Sequence, residues 1–285
     1  MLLRCGRFEI SLERPRIMGV VNTTPDSFFE GARHAQADAA IARARELLAD
    51  GADLLDIGAE STRPGADPVS EAEEWRRLAP VLEGLRDLPV PLSIDTRRPA
   101  VMRQALALGA DMINDVSGFL DPDSIRAVAG SGAGLCIMHM AGDPSTMQRA
   151  PVYRDVVSQV REFLYGRVQA LCAAGVGVNR IVLDPGIGFG KTLDHNVGLL
   201  RHLRSLSSVG ELPAAGSDRS VTLPILVGLS RKSMIGAITG REPAGRLVGS
   251  VVGAVAAVAQ GASIVRVHDV AETRDGLAVW QAVGT

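Results

Sequence analysis

Short apolar runs alternate with longer stretches rich in Ala, Leu and Arg along the whole chain. The apolar runs have the length of buried strands, and the stretches between them have the length and composition of helices. Strand and helix alternating eight times predicts a single (βα)8 TIM barrel of the α/β class over residues 1–285. The eight runs end in polar or charged residues, which are Asn22, Asp56, Asp95, Asn114, His139, Asp184, Ser230 and His268.

Turn and cap residues mark where several elements begin and end. Gly51 is placed to stop a first helix predicted over residues 35–50, and Ser70-Glu-Ala-Glu73 resembles a capping box at the start of the second. Pro99 is placed to open the third helix. Residues 205–223 interrupt the alternation, since they are rich in Ser, Gly, Ala and Pro and lack periodicity. They are predicted to form a mobile loop on the face away from the site.

The composition narrows the range of partners. The 285 residues carry a net charge of −2, which gives no electrostatic reason to expect nucleic acid or an anionic membrane. The most membrane-like stretch, residues 247–259, is shorter than the roughly 20 residues needed to span a bilayer. The N-terminus lacks the apolar segment of a signal peptide. Three cysteines without zinc-binding spacing predict reduced thiols in a cytoplasmic protein.

The polar residues at the strand ends predict where the active site lies. In a barrel the carboxyl ends of all strands meet on one face, and that face carries the site. Residues two apart on a strand share a face, so Arg266 and His268 point the same way. Each residue by itself is explained as well by capping a helix or anchoring a loop, but convergence of the whole set favours function. The set comprises Asn22, Asp95, Asn114, Asp184, Lys232, Arg266 and His268.

The charges are expected to separate around this face. Strand 8 neighbours strand 1 in a closed barrel, so residues at the ends of strands 8, 1 and 2 should lie along one arc of the mouth. The cations and the amide on this arc should suit a phosphate or diphosphate. That arc gathers an amide and three potential cations, Asn22, Arg63, Arg266 and His268. Across the mouth, Asp95, Asn114 and Asp184 offer acceptors to a planar, donor-rich ligand such as an aminopyrimidine ring. The predicted ligand is a nitrogen heterocycle with a phosphate tail.

The two lysines suggest two other functions in a chain that otherwise uses 28 arginines. Gly190-Lys191-Thr192 resembles the end of a nucleotide-binding P-loop, but Pro185 stands where the first glycine of that motif is required. Lys232 is a candidate Schiff-base lysine, as in aldolase-type barrels, with Arg231 placed to lower its pKa. It lies beyond its strand rather than within it, which disfavours this function.

Seven blocks, in order from about residue 17 to the C-terminus, closely resemble the dihydropteroate synthase family of the folate pathway. The blocks are Asn22-Thr-Thr-Pro-Asp-Ser-Phe28, Glu60-Ser-Thr-Arg-Pro-Gly65, Ser93-Ile-Asp-Thr96, Ile113-Asn-Asp-Val116, Asp184-Pro-Gly-Ile-Gly-Phe-Gly-Lys191, Ser230-Arg-Lys-Ser233 and Arg266-Val-His-Asp269. The resemblance implies a transferase that joins 4-aminobenzoate to 6-hydroxymethyl-7,8-dihydropterin diphosphate, giving 7,8-dihydropteroate and diphosphate. It further implies Mg2+ as cofactor, a homodimer, and sulfonamides as competitors of 4-aminobenzoate.

The resemblance also assigns roles residue by residue. For the pterin it implies Asp95, Asn114, Met138, Asp184, Phe189, Lys232 and Arg266. For the diphosphate it implies Asn22, Arg63, Arg266 and His268, with Asn22 also a metal ligand. For 4-aminobenzoate it implies Phe28, Thr62, Pro64, Phe189 and Ser233. The residues that it assigns to catalysis are Asn22, Thr62, Arg63, Asp95, Lys232, Arg266 and His268.

Two further functions are compatible with a pterin pocket. A pterin-binding methyltransferase barrel would keep the acceptors but has little need of the diphosphate cations. A non-catalytic pterin-binding paralogue is expected to lose Thr62 or Arg63, and both are present. The synthase is therefore favoured. The chain departs from the family pattern at Phe29-Glu30, after the first strand, and in the length of residues 205–223.

Overall fold

The computed structural model describes residues 1–23, 30–60, 69–142, 146–148, 151–212 and 217–284. Its strands are β1 (Leu2–Cys5), β2 (Phe8–Ser11), β3 (Arg16–Asn22), β4 (Leu54–Gly58), β5 (Leu92–Asp95), β6 (Met112–Asp115), β7 (Gly134–Met138), β8 (Ile181–Asp184), β9 (Ser208–Leu212), β10 (Ser217–Thr222), β11 (Leu226–Val227) and β12 (Ile264–Val267). Its α-helices are α1 (Glu30–Ala49), α2 (Glu71–Leu85), α3 (Pro99–Ala107), α4 (Pro122–Ala129), α5 (Val156–Ala173), α6 (Leu193–Arg201), α7 (Leu203–Ser207), α8 (Ser233–Thr239), α9 (Leu247–Ala259) and α10 (Val270–Val283).

Eight parallel strands form the barrel, in the order β11-β12-β3-β4-β5-β6-β7-β8. The seam between β8 and β11 is closed by one parallel bridge between Leu183 and Ile225, and the Leu183 N–H donates to the Pro224 carbonyl at 2.9 Å. Helices follow the strands in sequence, as the alternation of patterns predicts. The predicted (βα)8 TIM barrel is therefore confirmed.

Local signals placed several element ends correctly. The Ser70 side chain caps α2 by accepting a hydrogen bond from the Glu73 N–H, and Pro99 is the first residue of α3. The first helix is longer than the prediction over residues 35–50, since α1 begins at Glu30. Capping chemistry acts within one turn, so the sequence determines it locally.

The register of the strands separates an apolar layer from a polar one inside the barrel. Residues paired side by side in a parallel sheet share a face, and so do residues two apart on one strand. Asp56 pairs with Ser93, Asp95 with Asn114, and Met138 with Asp184. Two residues earlier on β4, β6 and β8, the interior holds Leu54, Met112 and Val182. The polar layer thus faces the carboxyl-end mouth, and the apolar layer lies below it.

The hairpin of β1 and β2, which the pattern of apolar residues does not predict, closes the opposite end of the barrel. Its buried residues Leu3, Cys5 and Ile10 pack against the apolar layer formed by Met18, Leu54, Met112, Cys136, Val182, Leu226 and Ile264. The turn is fixed to the barrel by the Gly6 N–H, which donates to the Gly132 carbonyl at 3.1 Å. The hairpin therefore keeps water from the lower barrel interior.

Residues 205–223, predicted to form a mobile loop, contain a second hairpin that the sequence pattern did not predict. Strands β9 and β10 pair antiparallel between α7 and the start of β11, with shifts of register. The segment Ser217-Asp-Arg-Ser-Val-Thr222 is mostly polar. Its pairing uses backbone hydrogen bonds, which leave no hydrophobic periodicity in the sequence. The hairpin precedes β11 and so belongs to the amino-end side of the barrel, away from the mouth, and residues 213–216 lie outside the described chain.

No helix among the described residues is both long and apolar enough to cross a membrane. The stretch with the most apolar composition is α9, which packs Ser250, Ala254, Ala257 and Val258 inward and exposes Val248 and Val252. This helix packs closely against Leu229 because Gly253 has no side chain. A Cβ at position 253 would lie 2.6 Å from Leu229 Cδ1.

The hairpin contact with the barrel leads to a stability prediction. Leu3 is 1% exposed, whereas its neighbour Leu2 is 58% exposed on the other face of β1. Leu3→Ala should lower the free energy of unfolding by about 2–5 kcal/mol, because it leaves a cavity beneath the apolar layer. Leu2→Ala should change it by less than about 0.5 kcal/mol. Urea denaturation of both variants measures this, and equal effects would contradict the role of the hairpin.

Candidate active site

One guanidinium lies at the centre of the barrel mouth and joins three strands. Arg266 on β12 donates from Nε to Asp56 Oδ2 at 2.6 Å and from Nη2 to Asp95 Oδ2 at 3.0 Å. Asp56 is fully buried on β4, and Asp95 is the last residue of β5. Two carboxylates around one cation are stable in a buried setting because each charge is hydrogen-bonded.

Asp56 is a site residue whose role the sequence pattern did not predict. It accepts from Arg266 and also from Asn114 Nδ2, at 3.1 Å to the same Oδ2 atom. In the sequence, the sign of such a role is an acidic residue within the apolar run Leu54-Leu-Asp-Ile57. Asp56 lies two residues after Leu54, which faces the barrel interior. A carboxylate on an inward face needs a partner inside the barrel, and this partner is 210 residues away.

Three buried polar atoms in this layer form no hydrogen bond with any residue that the structure describes. They are Asp56 Oδ1, Ser93 Oγ and Asn114 Oδ1. Buried polar groups are normally paired, so a set of unpaired ones in a mouth indicates a ligand-binding surface. Two of the three are pure acceptors when Asp56 is ionised. The surface therefore offers acceptors to a planar ligand rich in N–H donors.

Burial and neighbouring charges compete in setting the protonation of this layer. Burial raises the pKa of Asp95 and of Asp184, whereas Arg266 beside Asp95 and Lys232 near Asp184 act to lower these pKa values. Burial also acts to lower the pKa of Arg266, but Asp56 and Asp95 outweigh it and raise that pKa above its usual value. Arg266 is therefore a permanent cation in the mouth.

Lys232 lies between Asp184 and the glycine-rich loop that follows β8. Its Nζ donates to the Ile187 carbonyl at 2.6 Å and lies 4.5 Å from the centre of the Phe189 ring. Burial lowers the pKa of Lys232 to about 8, with Asp184 acting in the opposite direction. Asp184 itself accepts from the Gly186 N–H at 2.7 Å, which fixes the start of the loop. The structure thus brings Asp184, Phe189 and Lys232 together.

Met138 and His139 face opposite sides of β7. Met138 is buried beside Asp184 in the strand register and shares the inward face with Cys136. His139 instead has its Nδ1 at 3.0 Å from the Lys191 Nζ, behind the glycine-rich loop. Met138 is therefore the member of the pair that faces the mouth.

The predicted anion-binding arc occupies neighbouring strands. Asn22 ends β3 at an exposed position, on the interior face that also carries Met18, and β3 pairs directly with β12. His268 follows β12, with its Nδ1 at 3.0 Å from the Ser230 hydroxyl. Arg43 of α1 donates to the His268 carbonyl at 2.9 Å, which anchors this turn. Asn22, Arg266 and His268 thus lie on or just after two neighbouring strands, while Arg63 lies outside the described residues.

Several predicted residues belong to parts of the chain outside the described ranges. They are Phe28, Phe29, Thr62, Arg63 and Pro64. The residues flanking the segment 61–68 are joined to each other, because the Val69 N–H donates to Glu60 Oε1 at 3.2 Å and Arg98 pairs with the same oxygen at 3.0 Å. Ser233 is exposed as the first residue of α8, directly after Lys232.

The P-loop alternative does not fit the geometry of Lys191. Its ammonium is buried and lies 3.0 Å from the carbonyl oxygens of both Gly186 and Phe189. A P-loop lysine must point its ammonium at a phosphate. Lys191 points at its own backbone loop.

Comparison with known proteins places the chain among characterised sequences. The family model described as "Pterin binding enzyme" matches residues 18–268. Dihydropteroate synthase of Neisseria meningitidis serogroup C is 50% identical over 285 residues, covering 99% of this chain and 97% of the relative.

Two solved structures are similar throughout their length. Burkholderia cenocepacia dihydropteroate synthase complexed with 7,8-dihydropteroate is 52% identical, with a TM-score of 0.88 over 99% of this chain and 96% of that one. Xanthomonas albilineans dihydropteroate synthase with 4-aminobenzoic acid is 47% identical, with a TM-score of 0.88 over 100% and 98%. Sequence and fold agree over almost the entire length, so the chain belongs to the pterin-binding enzymes and, within them, to the dihydropteroate synthase family.

Proposed function

We propose that this protein joins 4-aminobenzoate to 6-hydroxymethyl-7,8-dihydropterin diphosphate, as a dihydropteroate synthase. The observation that carries the proposal is the buried cluster of Arg266, Asp56, Asp95 and Asn114 at the barrel mouth, next to Asp184 and Lys232. Relatives support it, since the similar Burkholderia structure holds 7,8-dihydropteroate and the Xanthomonas one holds 4-aminobenzoic acid.

The pterin ring is assigned to the polar layer. Asp95, Asn114 and Asp184 accept from its amino group and ring N–H groups, while Lys232 donates to its acceptors. Met138 forms an apolar wall beside Asp184, and Phe189 lines the adjacent loop. Arg266 packs over the ring, held by Asp56 and Asp95. These contacts bind the ring in one orientation, with its methylene carbon toward the anion-binding arc.

The diphosphate is assigned to Asn22, Arg63, Arg266 and His268. Arg266 and His268 are two residues apart around the end of β12, and Asn22 ends the neighbouring β3. Cations and N–H donors on this arc stabilise the negative charge that grows on the leaving diphosphate as its bond to the methylene carbon breaks. The carboxylates assigned to the pterin ring, Asp95 and Asp184, stabilise the positive charge that the pterin then carries.

The residues present fit a magnesium ion shared between protein and substrate. The Asn22 amide oxygen is a hard donor beside the proposed diphosphate position, and no cluster of three or more His, Cys, Asp or Glu side chains suited to a metal occurs in the described part of the chain. Mg2+ commonly uses one or two protein ligands together with phosphate oxygens and water. Bound in this way, Mg2+ would neutralise charge on the departing diphosphate.

The 4-aminobenzoate position is assigned to Phe28, Thr62, Pro64, Phe189 and Ser233. The C–O bond to diphosphate breaks first and leaves a pterin cation; the amine then attacks its methylene carbon, forming the C–N bond, and loses a proton. An aromatic amine is already nucleophilic, so no strong base is required. Closure of the segments after β3 and β4 would exclude water, which otherwise competes for the pterin cation.

A homodimer and a cytoplasmic location complete the proposal. The helices α8 and α9 expose Ile238 at 61%, Val248 at 72% and Val252 at 61%. A second copy of this chain would cover these apolar side chains, whose grouping on neighbouring helices is typical of an interface. The three cysteines are buried and free, in keeping with a reducing compartment.

Turnover tests the proposed function directly. With dihydropterin diphosphate, 4-aminobenzoate and Mg2+, the protein should release diphosphate and form dihydropteroate in equal amounts, and EDTA should lower the rate at least about tenfold. Both products are measured by chromatography, with omission of 4-aminobenzoate as the control. Pterin binding without either product would instead indicate a non-catalytic pterin-binding protein.

The role of Asp56 can be tested with a matched variant at the other end of the barrel. Asp56→Asn removes the negative charge that orders Arg266, so kcat/KM should fall by about 10- to 100-fold. Asp53 also pairs with arginines, Arg14 at 2.6 Å and Arg16 at 2.8 Å, but at the amino end of β4. Asp53→Asn should lower the melting temperature and leave kcat/KM within about twofold. Equal kinetics for the two variants would remove Asp56 from the site.

The dimer interface is tested by placing charges on the exposed face of α9. Val248→Asp with Val252→Asp should convert the dimer to a monomer, because burying two carboxylates without partners costs several kcal/mol. Sedimentation equilibrium measures the mass. A control pair of substitutions to Thr should preserve the dimer, and a wild-type protein that sediments as a monomer would refute the interface.

A further inference from the structure

Lys191 is a buried ammonium surrounded by backbone oxygens. It is 3% exposed. Its Nζ lies 3.0 Å from the carbonyl oxygens of Gly186 and Phe189 and 3.3 Å from that of His139, with His139 Nδ1 at 3.0 Å. Burial lowers its pKa to about 7, with Asp184 acting against this. Burying a cation costs free energy, so the hydrogen bonds of Lys191 must offset that cost.

The carbonyls that Lys191 gathers belong to the loop that lines the proposed pterin position. Ile187 lies between Gly186 and Gly188-Phe189, and its carbonyl accepts from the other lysine, Lys232, at 2.6 Å. The Phe189 ring lies 4.5 Å from the same Lys232 nitrogen. The two lysines therefore hold opposite sides of one loop, with Lys191 behind it and Lys232 in the mouth.

Steric constraints explain why the loop needs a cation behind it. Gly186 has φ +68°, and a Cβ there would lie 1.9 Å from the His139 carbonyl oxygen. The loop thus packs its backbone directly against the chain that follows β7. Carbonyl oxygens of Gly186, Phe189 and His139 converge there and would repel one another without a donor. A lysine ammonium supplies three N–H donors and a positive charge in a small volume.

His139 completes the arrangement as a neutral acceptor. Burial, and secondarily Lys191, lowers the pKa of His139 to about 3, so its ring carries no charge near neutral pH. The ring packs edge-on against Phe163, with centroids 4.9 Å apart. Tyr153 donates to the Gly190 carbonyl at 3.0 Å and so fixes the far end of the loop. The loop is thus held from behind by Lys191 at Gly186 and Phe189 and by Tyr153 at Gly190.

We propose that Lys191 is a positioning residue for the pterin pocket. Its ammonium draws the carbonyl groups of Gly186, Phe189 and His139 together. This contact places the Ile187 carbonyl and the Phe189 ring against Lys232. The inference rests on the proposed function for the identity of the ligand. Lys191 itself touches no substrate, since its donors face the loop from behind.

Arg180 provides a matched control. It is also a buried cation that binds backbone carbonyls, donating to Ala133 at 2.7 Å and to Val128 at 3.2 Å. It directly precedes β8, whereas Lys191 follows the loop at the other end of that strand. Loss of either cation should destabilise the fold, but the amino end of a barrel serves stability and its carboxyl end serves the site.

The experiment compares Lys191→Met and Arg180→Met with the wild type. Both variants should melt at lower temperature than the wild type. Lys191→Met should raise KM for dihydropterin diphosphate by about tenfold or more, with kcat within about threefold, and should weaken binding of 6-hydroxymethylpterin in calorimetry. Arg180→Met should leave KM, kcat and pterin binding within about twofold.

Each outcome has a distinct meaning. If Lys191→Met and Arg180→Met both leave the pterin KM and pterin binding within about twofold of the wild type, Lys191 is purely structural and the inference is overturned. If Lys191→Met does not fold, Lys191→Gln decides by the same criterion. An inactive wild type that still binds 6-hydroxymethylpterin refutes the proposed function, and the calorimetric comparison then decides the inference separately.

Discussion

The guanidinium of Arg266, held between two carboxylates inside the barrel mouth, is the interaction on which the site depends. Asp56 and Asp95 would repel each other at this depth if the cation were absent, and the cation would be too costly to bury if they were absent. The ion cluster connects β12 with β4 and β5 across the barrel, and Asn114 of β6 joins it through Asp56. Four strand ends are thereby fixed relative to one another. A rigid polar floor of this kind can recognise a flat heterocycle, because its acceptors do not need to be reorganised when the ligand binds.

Stability and recognition are separated along the barrel axis. At the amino end, the β1–β2 hairpin packs Leu3, Cys5 and Ile10 onto an apolar layer, and Asp53 pairs with Arg14 and Arg16. At the carboxyl end, Asp56, Ser93 and Asn114 each keep a polar atom unpaired among the described residues. Unpaired buried polar atoms reduce the free energy of unfolding, so the apolar layer and its hairpin must offset that cost. The same atoms are the ones available to a ligand.

The choice between lysine and arginine follows from the space around each cation. Arginine serves where a planar fork meets carboxylates, as Arg266 does with Asp56 and Asp95. The two lysines occupy the two sides of the glycine-rich loop, where backbone carbonyls approach closely and the glycines have positive φ. A compact ammonium with rotatable donors fits converging carbonyls better than a guanidinium does. A chain that uses arginine for its other positive charges thus keeps lysine at the two positions where a small cation is required.

The sequence by itself determined the barrel, the polar strand ends and several helix starts. Alternating patterns and caps such as Ser70 and Pro99 act over a few residues, so they are readable locally. Its motifs also determined the family, to which seven ordered blocks pointed.

Tertiary structure alone decided which residues became partners: Asp56 with Arg266, 210 residues apart, and Lys191 with His139, 52 residues apart. It also decided the two hairpins, since β9 and β10 pair through backbone groups that leave no hydrophobic pattern, and β1 and β2 find their apolar partners only on the closed barrel. Long-range contacts of this kind depend on the closed fold, because no local pattern encodes which distant strand will lie alongside.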